Sequence, residues 1–458
     1  MTLKTNPYKG TRDLFPPDKR VLDYLFSTMK RTAQSFSYEP YDGPLLEDIE
    51  LYRSKSGEEL VNDQIYSFHD KGERFVAIRP EMTPTLARMV AQIHRKTPLP
   101  IRWFSIPNLY RYERPQRGRL REHWQFNIDI FGAPENMGEV EVLQIVLALM
   151  KNFGADQSTF EILINDRRIV NFVFGKLLKL DQDKSSRLYK MVDKYKKISP
   201  DAFEEGLSQI GLDGVSKENL FRYLALDSFD AVFEFLEQMG GLEEKNNLIG
   251  FYKIVKNLKI DPYLRYDPTI VRGVDYYTGI VFEVFDKHPD NRRAICGGGA
   301  YANLLQIFNG PPLHGVGFGL GDVTLKDFLV SHKLLPDFSQ NKVDVYLSAQ
   351  TSEGLPRVME LGHRIRSRYQ DIKVLTELRP INAKKAFSNG KKYKAKFLAL
   401  IGERELSNNE VQIKNSKDKD SISMKLSNVK DIIHFFHAKN PSNDYLDDSE
   451  DANDKEKS

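Results

Sequence analysis

The residues best suited to chemistry lie in one stretch, Asn108–Gly132, which reads NLYRYERPQRGRLREHWQFNIDIFG. Side-chain alternation in its second half puts Trp124, Phe126, Ile128 and Ile130 on one face and His123, Gln125, Asn127 and Asp129 on the other. In its first half Leu109, Arg111 and Glu113 share a face opposite Tyr110 and Tyr112. The connector carries Arg114, Arg117, Arg119 and Arg121 around Gly118. Two strands joined by a basic loop over a polar floor suit a polyphosphate lying beside a small polar ligand. A guanidinium is permanently charged and grips paired oxygens. An edge hairpin with a solvated loop is the alternative these residues leave open.

Two further groups of residues extend this chemistry. A hairpin expected over Gln64–Phe68 and Arg74–Arg79 runs into RPEMTPT, where Thr83-Pro84 predicts a helix start with Thr83 as its cap. Glu81 and Thr83 then point into one pocket, unless they are merely a turn acid and a helix cap. Later, Arg272 precedes the run Asp275-Tyr276-Tyr277 and a strand over Gly279–Phe285. Gly297–Gly299 reads as a three-glycine turn into a helix, where backbone can approach a ligand closely.

These groups need elements to hold them. Leu22, Leu25, Phe26, Met29, Ala33 and Phe36 recur at helical spacing, so residues 18–37 form a long amphipathic helix. The following YEPYDGPLLEDIELY reads as extended, with Pro44 limiting it to an edge or an interface. Residues 137–153 predict a helix and TFEILIND a strand. From about 167 to 262 helical segments dominate, which marks an insertion between sheet elements. A last helix from about Asp322 closes this part. Beyond a polar linker at Asp337–Asn341, strands at Val343–Ala349, Ile372–Leu375 and Phe397–Gly402 with a helix at Glu353–Gln370 predict a small three-layer α/β domain. Lysines between Lys384 and Lys396, with Phe387 and Tyr393 among them, suit a nucleic-acid backbone, and a solvated helix face equally well. Residues 438–458 are expected to be a disordered acidic tail.

Composition bounds the class. A length of 458 residues allows two or three domains, and 40% hydrophobic with 29% charged residues is that of a soluble globular chain. No apolar run is long enough to span a membrane, and the N-terminus lacks a signal-peptide core, so a cytoplasmic location is expected. A single cysteine, Cys296, excludes an internal disulfide and a multi-cysteine zinc site. The net charge of +3 carries no case for nucleic acid by itself.

Taken together and in order, these pieces resemble the histidyl-tRNA synthetase family of class II aminoacyl-tRNA synthetases over about residues 7–436. FSYEPYDGPLLED is similar to motif 1, LYRYERPQRGRLREHWQF to motif 2, RPEMTPT to an amino-acid-binding signature, and RGVDYYTGIVFE with AICGGGAY to the histidine-specific element. FLALIGERELSNNEVQIKN is similar to the anticodon-binding domain. The resemblance implies an α+β fold: an antiparallel sheet flanked by helices within a catalytic domain at 1–336, a helical insertion, and an α/β anticodon-binding domain at 342–437. It implies histidine, ATP with Mg²⁺, and tRNA(His) as substrates and partners, and a homodimer.

The resemblance also assigns roles. Arg272 and Arg111 serve catalysis, with Arg111 on the α-phosphate and Arg272 bridging it to the histidine carboxylate. Glu81, Thr83 and Gln125 hold the ammonium, while Asp129 and Tyr277, next to Tyr276, hold the imidazole. Glu113 and Arg119 serve ATP, and Gln116, Arg117 and Arg121 serve the tRNA acceptor end. No metal site fixed by the protein alone is implied. Three positions depart from the family pattern. Asp129 replaces the usual Glu, Trp124 replaces a commoner histidine on the packing face, and GLGDVTLKDF puts Val323 and Thr324 where motif 3 has Glu-Arg. Arg119 or Lys326 is expected to make good the missing γ-phosphate arginine. Relatives of the fold that sense histidine without aminoacylating are the alternative. They typically lose the histidine-specific element and the anticodon domain, and both are present here.

Overall fold

Pro16 and Pro17 occupy the first turn of helix α1 (Pro16–Ser35), where a missing N–H costs nothing, and Phe15 stands extended before them. The buried stripe of α1, Leu22, Leu25, Met29 and Ala33, joins the main core. The computed structural model describes residues 4–53, 63–271, 277–338, 343–369, 371–416 and 421–438. The chain divides into two compact units, Met1–Pro336 and Asp337–Ser458.

In the first unit α1 is followed by β1 (Glu39–Pro40), β2 (Leu46–Asp48) and α2 (Ile49–Arg53). The IELY segment is therefore helical rather than extended. Asp48 Oδ1 accepts the Glu50 N–H at 2.9 Å, and Ile49 and Tyr52 bury together. The hairpin β3 (Tyr66–His69) and β4 (Phe75–Ile78) pairs with β2 and leads to α3 (Thr83–Ile93). Met82, not Thr83, is the residue before the helix; Thr83 and Pro84 are inside its first turn. Next come β5 (Ile101–Ser105), β6 (Asn108–Tyr110), β7 (Glu122–Phe131), α4 (Met137–Asn152) and β8 (Phe160–Asp166).

From Arg167 the chain is helical. It runs through α5 (Arg167–Asn171), a π-helical turn at Phe172–Leu177, α6 (Gln182–Val192), α7 (Pro200–Ile210), α8 (Gly214–Leu224), α9 (Phe229–Met239) and α10 (Leu242–Asn257). Then β9 (Leu264–Tyr266), β10 (Ile280–Asp286), β11 (Ala294–Tyr301), β12 (Gly315–Gly321) and α11 (Asp322–Ser331) complete the unit.

The main sheet has the order β1-β5-β7-β12-β11-β10-β8-β9, with β6 added to β7. Its central pairs from β5 to β8 are antiparallel, and only the outer β1·β5 and β8·β9 pairs are parallel. Gly297–Gly299 do not form a turn. They sit in mid-strand, paired to both β10 and β12, and the helix expected after them is a 3-10 segment, Leu304–Phe308. Glycine suits that place because the neighbouring strands crowd it.

In the second unit β13 (Val345–Ala349), α12 (Leu355–Arg368), β14 (Val374–Thr376), α13 (Ala383–Lys392) and β15 (Phe397–Ile401) alternate as expected. They are followed by α14 (Glu403–Ser407), β16 (Glu410–Asn415), β17 (Ser421–Lys425) and α15 (Val429–Ala438). The sheet order is β14-β13-β15-β16-β17. One apolar core lies between it and α12 and α15, a second under α13, which gives three layers. Lys384, Lys385, Lys391, Lys392 and Lys394 are exposed, whereas Lys396 pairs with Asp344 at 2.9 Å. The residues of the acidic tail from 439 onward lie outside the described residues.

Candidate active site

Strand β7 organises the site as its alternation requires. Phe126, Ile128 and Ile130 point into the main core. Gln125, Asn127 and Asp129 line a cavity of about 120 Å³ on the opposite face. A single water needs roughly 10–15 Å³ on this measure, so there is room for a small polar ligand. Glu81 and Thr83 at the start of α3, Arg111 after β6, Tyr277, Gly297 and Tyr301 complete the wall, with Gly317–Gly319 of β12 as the floor. Six residues expected from the sequence, Glu81, Thr83, Arg111, Gln125, Asp129 and Tyr277, therefore meet in one cavity. Arg272 and Tyr276 lie outside the described residues.

The floor is glycine because the acids and amides opposite it need the space. Asp129 faces Gly317 across the β7·β12 pair, and a Cβ there would lie 2.2 Å from Asp129 Oδ1. At Gly319 it would lie 2.7 Å from Gln125 Nε2. Tyr301 donates its hydroxyl to Asp129 Oδ1 at 2.6 Å. Burial nevertheless dominates, raising the Asp129 carboxyl to about 8 against the pull of the tyrosine. His123, at the edge of the same face, is pushed down to about 3 by burial and by the guanidiniums of Arg111 and Arg12, and stays neutral.

Tyr301 and Asn127 were missed as site residues by sequence reasoning. The signal for Tyr301 was available. Read as a strand, AICGGGAY puts Gly297, Gly299 and Tyr301 on one face by its period of two.

At the mouth, Arg111 donates from Nε to the Pro80 carbonyl at 2.9 Å, which fixes it on the cavity wall. The hairpin connector closes with paired backbone hydrogen bonds between Gln116 and Arg119 at 2.9 and 3.0 Å, and Gly118 takes a positive φ of 72° in that turn. Arg119 forms an ion pair with the buried Glu113. Arg117 reaches toward Ser331 Oγ of α11 at 3.4 Å, and Gly118 N–H approaches Asp327. The connector thus rests on α11.

Arg121 is enclosed rather than offered to a partner. It donates to the Glu113 carbonyl at 3.1 Å and to the Tyr8 hydroxyl at 2.9 Å, and lies 4.0 Å over the Tyr112 ring. Lys326 also departs from expectation. Two residues along the helix from Thr324, it faces elsewhere, with Nζ 3.6 Å from Asp18 of α1. Thr324 donates to the Ile295 or Gly321 carbonyl, each 3.2 Å away. Asp322 is structural: it accepts the Trp124 N–H at 2.9 Å and pairs with Arg12 at 2.7 Å. Trp124 itself packs on Phe26 of α1, as a residue on the packing face should.

A second cavity, about 260 Å³ beside α5 and α10, is lined by Arg168, Lys176 and Glu244 among others. Its charges neutralise one another, Lys176 pairing with Glu244 at 3.1 Å and Arg168 with Asp166 at 2.6 Å. It offers no reactive set.

An antiparallel sheet carrying an amino-acid-sized polar pocket with an arginine at its mouth, in a chain that ends in a separate α/β unit, has the design of a class II aminoacyl-tRNA synthetase. The histidyl-tRNA synthetase family model matches residues 10–324 and the anticodon binding domain model residues 345–434. A histidine–tRNA ligase of Leptospira biflexa is 40% identical over 432 residues, spanning 93% of this chain and 96% of its own. A chloroplastic/mitochondrial histidine–tRNA ligase of Arabidopsis thaliana is 33% identical over 427 residues, spanning 93% of this chain and 86% of its own. The crystal structure of histidyl-tRNA synthetase from Nostoc sp. PCC 7120 shares the fold, with a TM-score of 0.77 at 20% identity over 95% of this chain and 100% of that one. The chain belongs to the histidyl-tRNA synthetase family.

Proposed function

We propose that the β7 pocket binds the ammonium and imidazole of histidine, and that ATP extends from Arg111 beneath the hairpin connector. Membership of the family makes the chain a histidine–tRNA ligase, which forms histidyl-adenylate from ATP and passes histidine to the 3′ end of tRNA(His). The observation that carries the assignment of the pocket is the buried Asp129–Tyr301 pair under a wall of Glu81, Thr83 and Gln125.

In this reading the ring of histidine meets Asp129 and Tyr277, and Tyr301 holds the Asp129 carboxyl in place. An imidazole either accepts the Asp129 proton or donates an N–H to its carboxylate, so the buried acid is paired in both states. A ligand unable to make that bond leaves it unpaired, which costs roughly 10⁴-fold in selection. Glu81, Thr83 and Gln125 surround the ammonium, while Arg272 and Tyr276 keep the roles that the resemblance assigns.

In the first step a histidine carboxylate oxygen bonds to the α-phosphorus, the bond to the β-phosphate's bridging oxygen breaks, and pyrophosphate leaves. Arg111 neutralises charge gathering on the α-phosphoryl oxygens, and the fixed pocket supplies orientation. In the second step the terminal ribose hydroxyl of the tRNA attacks the acyl carbon and AMP leaves. Gln116 and Arg117, at the tip of the connector, are the contacts for the acceptor end; the enclosed Arg121 serves the connector's shape instead.

Among the described residues no group of three or more His, Cys, Asp or Glu side chains is arranged to hold a metal. Mg²⁺ needs only one or two carboxylates beside substrate phosphates, and Glu113 at the mouth fits that part. Bound there with ATP, the ion would neutralise phosphate charge. The anticodon-binding unit binds tRNA, with the exposed lysines of α13 as its backbone contact. A homodimer and a cytoplasmic location complete the reading; no described helix is long and apolar enough to cross a membrane. The test is ATP–pyrophosphate exchange with purified protein, expected to require histidine. Exchange indifferent to histidine overturns the reading.

A further inference from the structure

A short segment ahead of α1, residues 8–12, crosses the mouth of the site as a strap, and its contacts fall on elements that carry the site. It opens with a tight turn: the Tyr8 carbonyl accepts the Thr11 N–H at 3.0 Å and the Thr11 hydroxyl at 2.7 Å. Gly10 sits inside the turn at a φ of 87°, where a Cβ would also lie 2.7 Å from Cγ of Arg121. Only glycine brings the backbone this close. Its carbonyl accepts the N–H groups of Arg121 at 2.9 Å and Glu122 at 3.2 Å, where the connector returns into β7. The Tyr8 hydroxyl accepts from Arg121 Nη1 at 2.9 Å. At the other end of the strap Arg12 donates to Asp322 at 2.7 Å and lies over the Trp124 ring, 5.6 Å from its centroid. The strap thus ties the returning connector to the start of α11.

Arg121 carries that grip to the cavity. Its carbonyl accepts the Arg111 N–H at 2.9 Å, and its Nε donates to the Glu113 carbonyl at 3.1 Å. Arg111 lines the cavity, with its own Nε held by the Pro80 carbonyl. The path from Gly10 to Arg111 is therefore two main-chain hydrogen bonds through one residue, with no flexible side chain to absorb a shift. Arg121 is buried, and burying a guanidinium is costly unless it is hydrogen-bonded. Its seat depends in part on the Tyr8 hydroxyl.

We propose that the strap is a positioning device for the reaction, with Tyr8 and Gly10 setting Arg111 against the reacting phosphate through Arg121. This rests on the reading of Arg111 as the arginine on the α-phosphate. No residue of the strap lines the cavity, so its action is indirect.

The experiment is a double-mutant cycle on the full chain, with Gly10→Ala, Arg121→Ala and the two combined. It reads histidine-dependent ATP–pyrophosphate exchange and, separately, histidine binding. Gly10→Ala should lower kcat by roughly tenfold or more, the scale on which a small misplacement acts, and leave histidine affinity within about twofold. The double variant should be no slower than the slower single variant, within about twofold, because both changes remove one relay. Tyr8→Phe, a change at an exposed ring, keeps the test open if Gly10→Ala does not fold. It should lower kcat about three- to tenfold, the worth of one hydrogen bond, with histidine affinity again unchanged. Losses that multiply in the double variant, histidine affinity falling in step with kcat, or kcat within twofold of wild type in either folded strap variant overturns the proposal. Exchange by the wild type judges the site separately. A wild type without histidine-dependent exchange fails the reading of the site, whereas an active wild type with unaffected strap variants fails the strap alone.

Discussion

The floor of the pocket and its mouth are held by different physics. On the floor, β7 and β12 lie in register, Asp129 against Gly317 and Asn127 against Gly319, and every polar group is set by the pleat. At the mouth, side chains of the connector are held by long-range contacts: Arg119 on Glu113, Arg117 toward Ser331, Arg121 under Tyr8 and Tyr112. In the proposed reading, selectivity for the amino acid is built into sheet geometry, and phosphate charge is assembled by tertiary packing. Substitutions on the floor should damage shape and histidine binding together, whereas those at the mouth should act on ATP or on the tRNA acceptor end and spare histidine binding.

The largest effect is expected from Gly317→Ala. Its Cβ would meet Asp129 Oδ1 at 2.2 Å and the Ile128 carbonyl oxygen at 2.6 Å, neither of which can move freely. Histidine-dependent exchange should fall by about 100-fold or more, with about 1–3 kcal/mol lost in urea unfolding, the usual range for overpacking. Arg119→Ala should raise the KM for ATP about tenfold by leaving the buried Glu113 carboxylate unpaired beside the phosphate path. Lys326→Ala should move it less than about twofold, because its ion pair with Asp18 is a solvated surface contact. If those two variants respond equally, the division between floor and mouth fails at its outer edge.

Tyr301→Phe removes the hydroxyl that Asp129 accepts, and histidine should bind about five- to tenfold more weakly, the worth of one buried neutral hydrogen bond. Stability against pH reports on the same acid. Burial lifts Asp129 to about 8 in the fold, above an unfolded value of roughly 4. The folded chain therefore keeps a proton that the unfolded chain releases. Its contribution makes stability fall as pH rises from about 4 to 8. Unfolding of Asp129→Asn across that window should show a shallower decline than wild type.

The same contrast explains what could be read beforehand. Gln125 and Asp129 were legible because a strand's period sorts side chains without knowledge of any other element. The Thr83-Pro84 helix start and the arginine-bearing hairpin are local for the same reason. Tyr301 was hidden by reading Gly297–Gly299 as a turn: glycines that permit close strand packing carry the same letters as glycines that permit a turn. The enclosure of Arg121 and the turning of Lys326 toward Asp18 depend on Tyr8 and on α1, about a hundred and three hundred residues away respectively. No local pattern encodes them. In the second unit β16 and β17 escaped notice because their outer faces are polar and their burial is one-sided, with β17 largely exposed.

The central claim, that Asp129 receives the histidine ring, is tested most directly by titrating L-histidine and ATP separately into wild type and Asp129→Asn. The account predicts histidine affinity at least about tenfold weaker in the variant, as for a lost hydrogen bond to a charged group, with ATP affinity unchanged. Equal histidine affinity in the two proteins would contradict it.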